Sequence, residues 1–253
     1  MIRVVKRSGV PEKLTRDGKM ANEKNCLDYI NNPREYIANK KEFYINPAIY
    51  NHLSIKSSLR KAQFNKCCFC EKEQEDEYGA VEHYRPKKGF KSERKEKLKK
   101  PGYYWLGYEW HNLYFVCSPC NTKKGNLFPL VNENKRAKSH TMLITEEIPL
   151  LLDPGGIEDP RDHIVFDNQF PRGITDYGKR TIEICQLGRD GLNKKRRQLL
   201  DQIDDKIAII YKRDQVFDQV VERAKKFILS CQEPEAQFSA VAKDYLKDLI
   251  EAA

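Results

Sequence analysis

The sequence predicts an α+β fold in which a small cysteine-braced core of two short strands and a helix sits between N- and C-terminal helical regions. Three observations carry that prediction. Two matched pairs, Cys67-x-x-Cys70 and Cys117-x-x-Cys120, frame the middle of the chain. Residues 79–83 and 113–117 have the length and the turn or cysteine flanks of short strands. On either side, apolar residues recur at helical spacing.

In chain order, residues 1 to about 18 read as a basic arm or edge strand ending at Gly18. Residues 22–65 read as helical through Leu27, Ile30, Ile37, Phe43, Ile49, Leu53 and Leu59, broken near Pro33 and Pro47. Residues 85–101 are dense in lysine and nearly devoid of apolar side chains, the composition of a solvated, mobile loop. The aromatic block at 103–110 reads as core packing, with a stacking surface for bases as the functional alternative. An apolar run ends in a turn at 150–156, and 162–167 reads as another short strand. Beyond it Leu192, Leu199, Leu200, Ile203, Ile207 and Ile210 keep helical spacing, continued at 216–229 and 238–250. We therefore divide the 253 residues into a helical region at 1–64 that docks a partner, a core at 65–135 and a mostly helical region at 136–253.

Hydrophobic residues make up 40% of the chain and charged residues 33%, which argues against a membrane protein and against wholesale disorder. No run approaches the apolar length a bilayer requires, and the first residues lack the hydrophobic region of a signal peptide, so a cytoplasmic location is expected. A net charge of +9 favours an acidic polymer as partner, because a basic surface releases counterions on binding phosphates. The same charge also suits a lysine-rich surface that only keeps the protein soluble.

Four of the eight cysteines form the two pairs, while Cys26, Cys68, Cys185 and Cys231 are scattered. That is the distribution of a metal site plus incidental thiols in a reducing compartment. Two C-x-x-C knuckles supply the four soft ligands of a structural zinc ion. A redox reading is weaker, since it needs one pair at a helix start and here the pairs come in duplicate. Cys68 offers a shorter bite with Cys70, but the matched spacing favours Cys67.

What lifts this region above a zinc ribbon is the order Glu82-His83, then Asn112, then Cys120-Asn121-x-x-Lys124. Metal-assisted hydrolysis of a phosphodiester needs a neutral base to take a proton from water and an oxygen-liganded divalent ion to stabilise the charge that develops. His83 suits the first task, because imidazole is a competent base around neutral pH. Glu82 and the side-chain carbonyl of Asn121 are hard donors suited to Mg²⁺.

On these residues, the segment from Cys67 to about Leu130 resembles an HNH endonuclease of the ββα-metal family with a cysteine-bound zinc. The resemblance implies His83 as general base, Glu82 and Asn121 as ligands of a catalytic Mg²⁺ or Mn²⁺, and Asn112 as the amide that pins the loop between the strands. It implies Cys67, Cys70, Cys117 and Cys120 as zinc ligands, and products with 5′-phosphate and 3′-hydroxyl ends. Asn121 stands where a strict His-Asn-His signature has histidine. Glu82-His83-Tyr84-Arg85-Pro86-Lys87, Tyr104-Trp105-Leu106, the run from Asn121 to Leu130, Leu152-Asp153-Pro154 and residues 188–197 are similar to the PtuB family. Those are the HNH partners of an SMC/ABC-like ATPase, PtuA, in Septu antiphage systems and in some retron systems. In a retron setting the resemblance implies a reverse transcriptase with RNA-linked DNA as a further partner.

Each assignment has a plainer rival. His83 could be a structural histidine. Glu82 could serve a surface salt bridge, and adjacent residues on a regular strand face opposite sides, so both reach one site only where the strand is irregular or ends. Asn112 could be an ordinary turn residue, and Asn121 a helix cap. Arg85, Lys123 and Lys124 are phosphate contacts or merely solvated. His111 reads as packing or surface, and His52, His140 and His163 have no partners at interpretable spacing. For the whole chain, the alternatives to an endonuclease acting on DNA, or on RNA such as tRNA, are a non-catalytic zinc-containing nucleic-acid-binding subunit and a structural organiser of the ATPase.

Overall fold

The computed structural model describes residues 1, 3–7, 9–74 and 79–251. Its first residues are neither a free arm nor an edge strand. The Val4 N–H donates to the Pro154 carbonyl (2.6 Å), and Lys6 Nζ donates to the Trp110 and Leu113 carbonyls at 2.6 Å each. Gly18 does not end a segment either. It closes a π-helical turn, Leu14–Gly18, that runs directly into α1 (Lys19–Asn31). A Cβ on Gly18 would lie 3.0 Å from Cβ of Tyr108, so this glycine permits a close approach and not a chain reversal.

Both α2 (Pro33–Ile37) and α3 (Pro47–Tyr50) begin on proline, where the missing N–H has no intrahelical partner to lose. His52 caps α4 (Leu53–Ala62) by accepting from the Ser54 N–H. Phe43, Ile49 and Leu59 are buried, but Leu27, Ile30, Ile37 and Leu53 are exposed. Pro33 and Pro47 each restart the helix, so no single apolar stripe runs through residues 22–65.

In the middle of the chain β1 (Ala80–His83) pairs antiparallel with β2 (Leu113–Val116), placing His83 opposite Leu113 and Ala80 opposite Val116. The next helix, α5 (Ser118–Lys124), starts directly after Cys117 and ends at Gly125 in the left-handed region, φ 48°. β2 is buried along its whole length. Its far edge is satisfied by the Gln63 amide, which accepts from the Phe115 N–H (2.9 Å) and donates to the Phe115 carbonyl (2.8 Å).

The lysine-rich segment at 85–101 exposes most of its charged side chains as expected, but its backbone is tied down. Phe90 and Lys99 exchange two backbone hydrogen bonds of 2.9 Å, and Lys91 bonds to Asn126 and Phe128. Arg94 reaches the carbonyls of Lys123 and Ile184. The aromatic block is core: Tyr103, Tyr104, Trp105, Tyr108 and Trp110 are all buried, and Tyr104 stacks on Phe43 at 3.7 Å. That packing leaves no face of Tyr104 for a base.

Toward the C-terminus β3 (Ile164–Asp167) pairs with β4 (Phe170–Gly173). Residues 162–167 read as a strand, but β4 carries Pro171 and Gly173 and gives no strand signal of its own. Thr175 caps α6 (Asp176–Cys185). The last three helices, α7 (Asp190–Tyr211), α8 (Asp218–Ser230) and α9 (Ser239–Glu251), fall where helical spacing places them. One buried apolar cluster joins Val4, Phe69, Phe115, Leu200 and Val241. Among the described residues no helix is long and apolar enough to cross a membrane.

Candidate metal centre and active site

The sulfur atoms of Cys67, Cys70, Cys117 and Cys120 lie within 4.8 Å of one another, all four residues buried. Cys70 and Cys117 stand 3.7 Å apart, and all eight cysteines are free thiols. A tetrahedron with metal–sulfur bonds of about 2.3 Å has edges of about 3.8 Å, so the four-thiol set fits a metal such as zinc. The first knuckle is shaped by a turn in which the Glu71 N–H donates to the Cys67 carbonyl (3.0 Å) and Glu71 adopts φ 62°. The Cys68 N–H docks that turn on the Phe115 carbonyl of β2 (3.1 Å). In the second knuckle Cys117 is the residue from which α5 springs. Cys68 stays outside the four-thiol set, and burial pushes its thiol well above the ordinary range. Arg189, at the start of α7, donates to Sγ of Cys120 (3.4 Å), the outer contact that a metal-bound thiolate attracts.

At the other end of the β1–β2 pair, His83 is 2% exposed. Its Nε2 lies 2.9 Å from the Gly107 carbonyl. A carbonyl can only accept, so Nε2 carries the proton and Nδ1 keeps its lone pair. Burial, and then the charge of Lys87, hold the imidazole well below its usual pKa, so it is neutral at pH 7. Nδ1 faces Lys87 Nζ at 3.1 Å, and the ring of Tyr50 meets the imidazole edge-on at 4.7 Å.

Glu82 alternates with His83 along the strand, but β1 ends at His83, the condition under which both can serve one site. The Glu82 carboxylate accepts from Lys124 Nζ (2.6 Å), and the same ammonium donates to the His83 carbonyl (2.8 Å). Lys124 is 1% exposed. It is therefore no free phosphate contact: withdrawing it would leave a carboxylate and a carbonyl unpaired. Asn121 lies one helical turn before Lys124 and so on the same side of α5. It is not a cap, because Cys117 holds that position and the Asn121 N–H is bonded to its carbonyl (3.0 Å). Among the described residues nothing engages the Asn121 carboxamide. A carboxylate oxygen and a free amide oxygen are hard donors, so Glu82 and Asn121 could hold a divalent cation.

Asn112 ties both strands of the intervening loop. Its Oδ1 accepts from the Arg85 N–H (2.7 Å), and its Nδ2 donates to the carbonyls of Arg85 (3.1 Å) and Leu106 (3.0 Å). Since Leu106 precedes Gly107, this amide also sets the carbonyl that fixes the His83 tautomer. Arg85 turns inward, paired with the buried Glu147 and lying over the rings of Tyr103 (5.3 Å) and Phe128 (5.1 Å). Its guanidinium is thus committed to the core and not to phosphate. Lys123 is partly exposed, and His111 is at the surface. Sequence reasoning passed over Tyr50, Lys87, Gly107 and Arg189 as members of the two sites. Tyr50 and Gly107 carry no motif, and for Lys87 the only signal was its place four residues after His83.

Over 199 residues, 72% of the chain, the sequence is 33% identical to Septu protein PtuB of Bacillus mycoides strain KBAB4, a match covering 66% of that protein. A Septu protein PtuB of Bacillus thuringiensis is 26% identical over 53% of the chain and 41% of its own length. Septu protein PtuA of the same Bacillus mycoides strain is 25% identical over 72% of the chain, but over only 27% of its own length. The chain thus spans just under two thirds of the first of these relatives and less than half of the other two. No family model and no solved structure matches it.

Proposed function

The chain is a homologue of Septu protein PtuB, and from that premise we propose that it is an HNH-type endonuclease of an antiphage system, hydrolysing nucleic-acid phosphodiesters alongside a PtuA-like ATPase. The observation that supports it most is the His83 tautomer. With Nε2–H given to the Gly107 carbonyl, the imidazole presents one lone pair, at Nδ1, and Glu82 is the adjacent residue at the end of β1. His83 takes a proton from water at Nδ1, and the resulting hydroxide attacks phosphorus. Glu82 and Asn121 would hold Mg²⁺ or Mn²⁺, which would supply positive charge to stabilise the charge that develops on the phosphate. Lys124 keeps the carboxylate aimed by engaging one of its oxygens. The four thiols would hold zinc, which would clamp the first knuckle to α5 and so hold α5 against β1. Similarity to a segment of a PtuA protein supports a Septu setting, in which the ATPase partner and the cytoplasm belong to the same proposal. A reverse transcriptase encoded beside the gene would move the setting to a retron.

The test is cleavage of DNA and RNA by the purified chain with its ATPase in Mg²⁺ or Mn²⁺. His83→Ala is expected to keep zinc and fold while losing about 10²–10⁴-fold in rate. Equal cleavage by variant and parent would sink the proposal. Substrate shifted but left intact by the parent would favour the non-catalytic binding subunit.

A further inference from the structure

The base nitrogen of the site is covered. Lys87 Nζ stands 3.1 Å from Nδ1 of His83 and 4.4 Å from the centre of the Tyr50 ring, whose edge also packs on the imidazole. While the ammonium donates to that lone pair, no water can. His83 acts as a base only after Lys87 leaves.

Lys87 is also the cation of this cluster without an anion. Lys124 has Glu82 and Arg85 has Glu147. Among the described residues Lys87 makes no ion pair. Glu82 acts on it only through space, with one oxygen already on Lys124. A half-buried ammonium held by a neutral imidazole has an exchangeable partner, because a charge-assisted bond to an anionic oxygen is roughly twice as strong. Its four-carbon stem lets the charge move without moving the backbone.

We propose that Lys87 is the phosphate-binding residue of this site and, in the absence of substrate, the plug over its base. An arriving phosphodiester draws the ammonium from Nδ1 onto a non-bridging oxygen, and the freed lone pair then accepts from water. The substrate thus assembles the catalytic geometry, and a chain that has bound no phosphate keeps its base closed. This rests on the reading of His83 as general base, and the test separates the two.

The test uses the zinc-loaded full chain with ¹⁵N-labelled histidine, without divalent metal so that nothing is cut. The His83 signals are assigned by their loss in His83→Gln. Short DNA and RNA duplexes are titrated in. The Nδ1 resonance is expected to move as the Lys87 bond is lost, and in Lys87→Met to start near the released position and stay there. Lys87→Met is expected to bind about 10–100-fold more weakly, the worth of one charged hydrogen bond, whereas Lys87→Arg stays within a few-fold. A parent resonance unmoved at saturating duplex, no binding of either duplex, or parental affinity in Lys87→Met overturns the proposal. If the resonance moves but adding Mg²⁺ together with the ATPase gives no cleavage, the plug stands and the nuclease reading falls. Retained zinc and parental circular dichroism in Lys87→Met and Lys87→Arg exclude misfolding as the cause.

Discussion

The four-thiol cluster and the His83 imidazole occupy opposite ends of one short strand pair, since Cys117 follows Val116 at one end and His83 pairs with Leu113 at the other. They are built by opposite means. The thiols come from two stretches of four residues, and the x-x spacing of each already brings two sulfurs to a point where one metal could bind. The imidazole is placed by groups scattered through the chain: the Gly107 carbonyl, the Asn112 amide two bonds away, the Tyr50 ring and the Lys87 ammonium. α5 joins the two, starting among the thiols and ending with Lys124 on Glu82. A site encoded by spacing is thus all-or-none, whereas a site assembled through space can be loosened one contact at a time.

The largest expected effect tests the first half of that contrast. Cys117→Ser removes one of the four thiols that could hold zinc, and on that reading the core should fail as a unit, because a structural zinc is worth about 10–16 kcal/mol, comparable to a whole domain's stability. The variant should lose its zinc and show no cooperative urea transition. A parental unfolding midpoint in Cys117→Ser would break the comparison. A smaller, graded effect should follow from Asn112→Leu. That change removes three side-chain hydrogen bonds and leaves the Arg85 N–H without its acceptor. At about 1 kcal/mol per bond, with a further penalty for the stranded donor, the cost is about 2–4 kcal/mol. Urea unfolding should show that loss with zinc retained; a cost below about 0.5 kcal/mol would mean the amide is ornamental.

How much of this was legible in sequence follows from the same contrast. Cys67, Cys70, Cys117 and Cys120 were readable because ligand spacing is a local property, and α7, α8 and α9 because apolar spacing is. The loop at 85–101 was half readable: its composition reported exposed lysines, but backbone pairing such as Phe90 with Lys99 depends on partners no local window contains. Arg85 and Lys124 were misjudged for a related reason. A lysine or arginine in a basic run looks solvated, and only the fold shows that Glu147 and Glu82 wait inside for them. The N-terminal segment failed similarly, since nothing in Met1 to Arg7 announces that Lys6 will be drawn between Trp110 and Leu113.

Lys6 offers the smallest and most discriminating effect, because it braces the backbone on both sides of Asn112, where the scattered half of the site begins. Its ammonium bonds the Trp110 and Leu113 carbonyls and lies 4.0 Å from the centre of the Tyr114 ring. Burial lowers its pKa to about 7, against a partial upward pull from Asp153. In the unfolded chain the same group titrates near 10.5, so between about pH 7 and 10.5 the unfolded state binds more protons than the folded one. Stability should therefore rise with pH across that window. Lys87, lowered to about 8 by burial, contributes with the same sign over a narrower range. Lys6→Met should flatten the rise without abolishing it, read as the urea midpoint at pH 7, 8 and 9 with zinc bound. An unchanged slope in Lys6→Met would mean that Lys6 is fully solvated in the folded protein, and that the Trp110–Leu113 turn holds its shape without it.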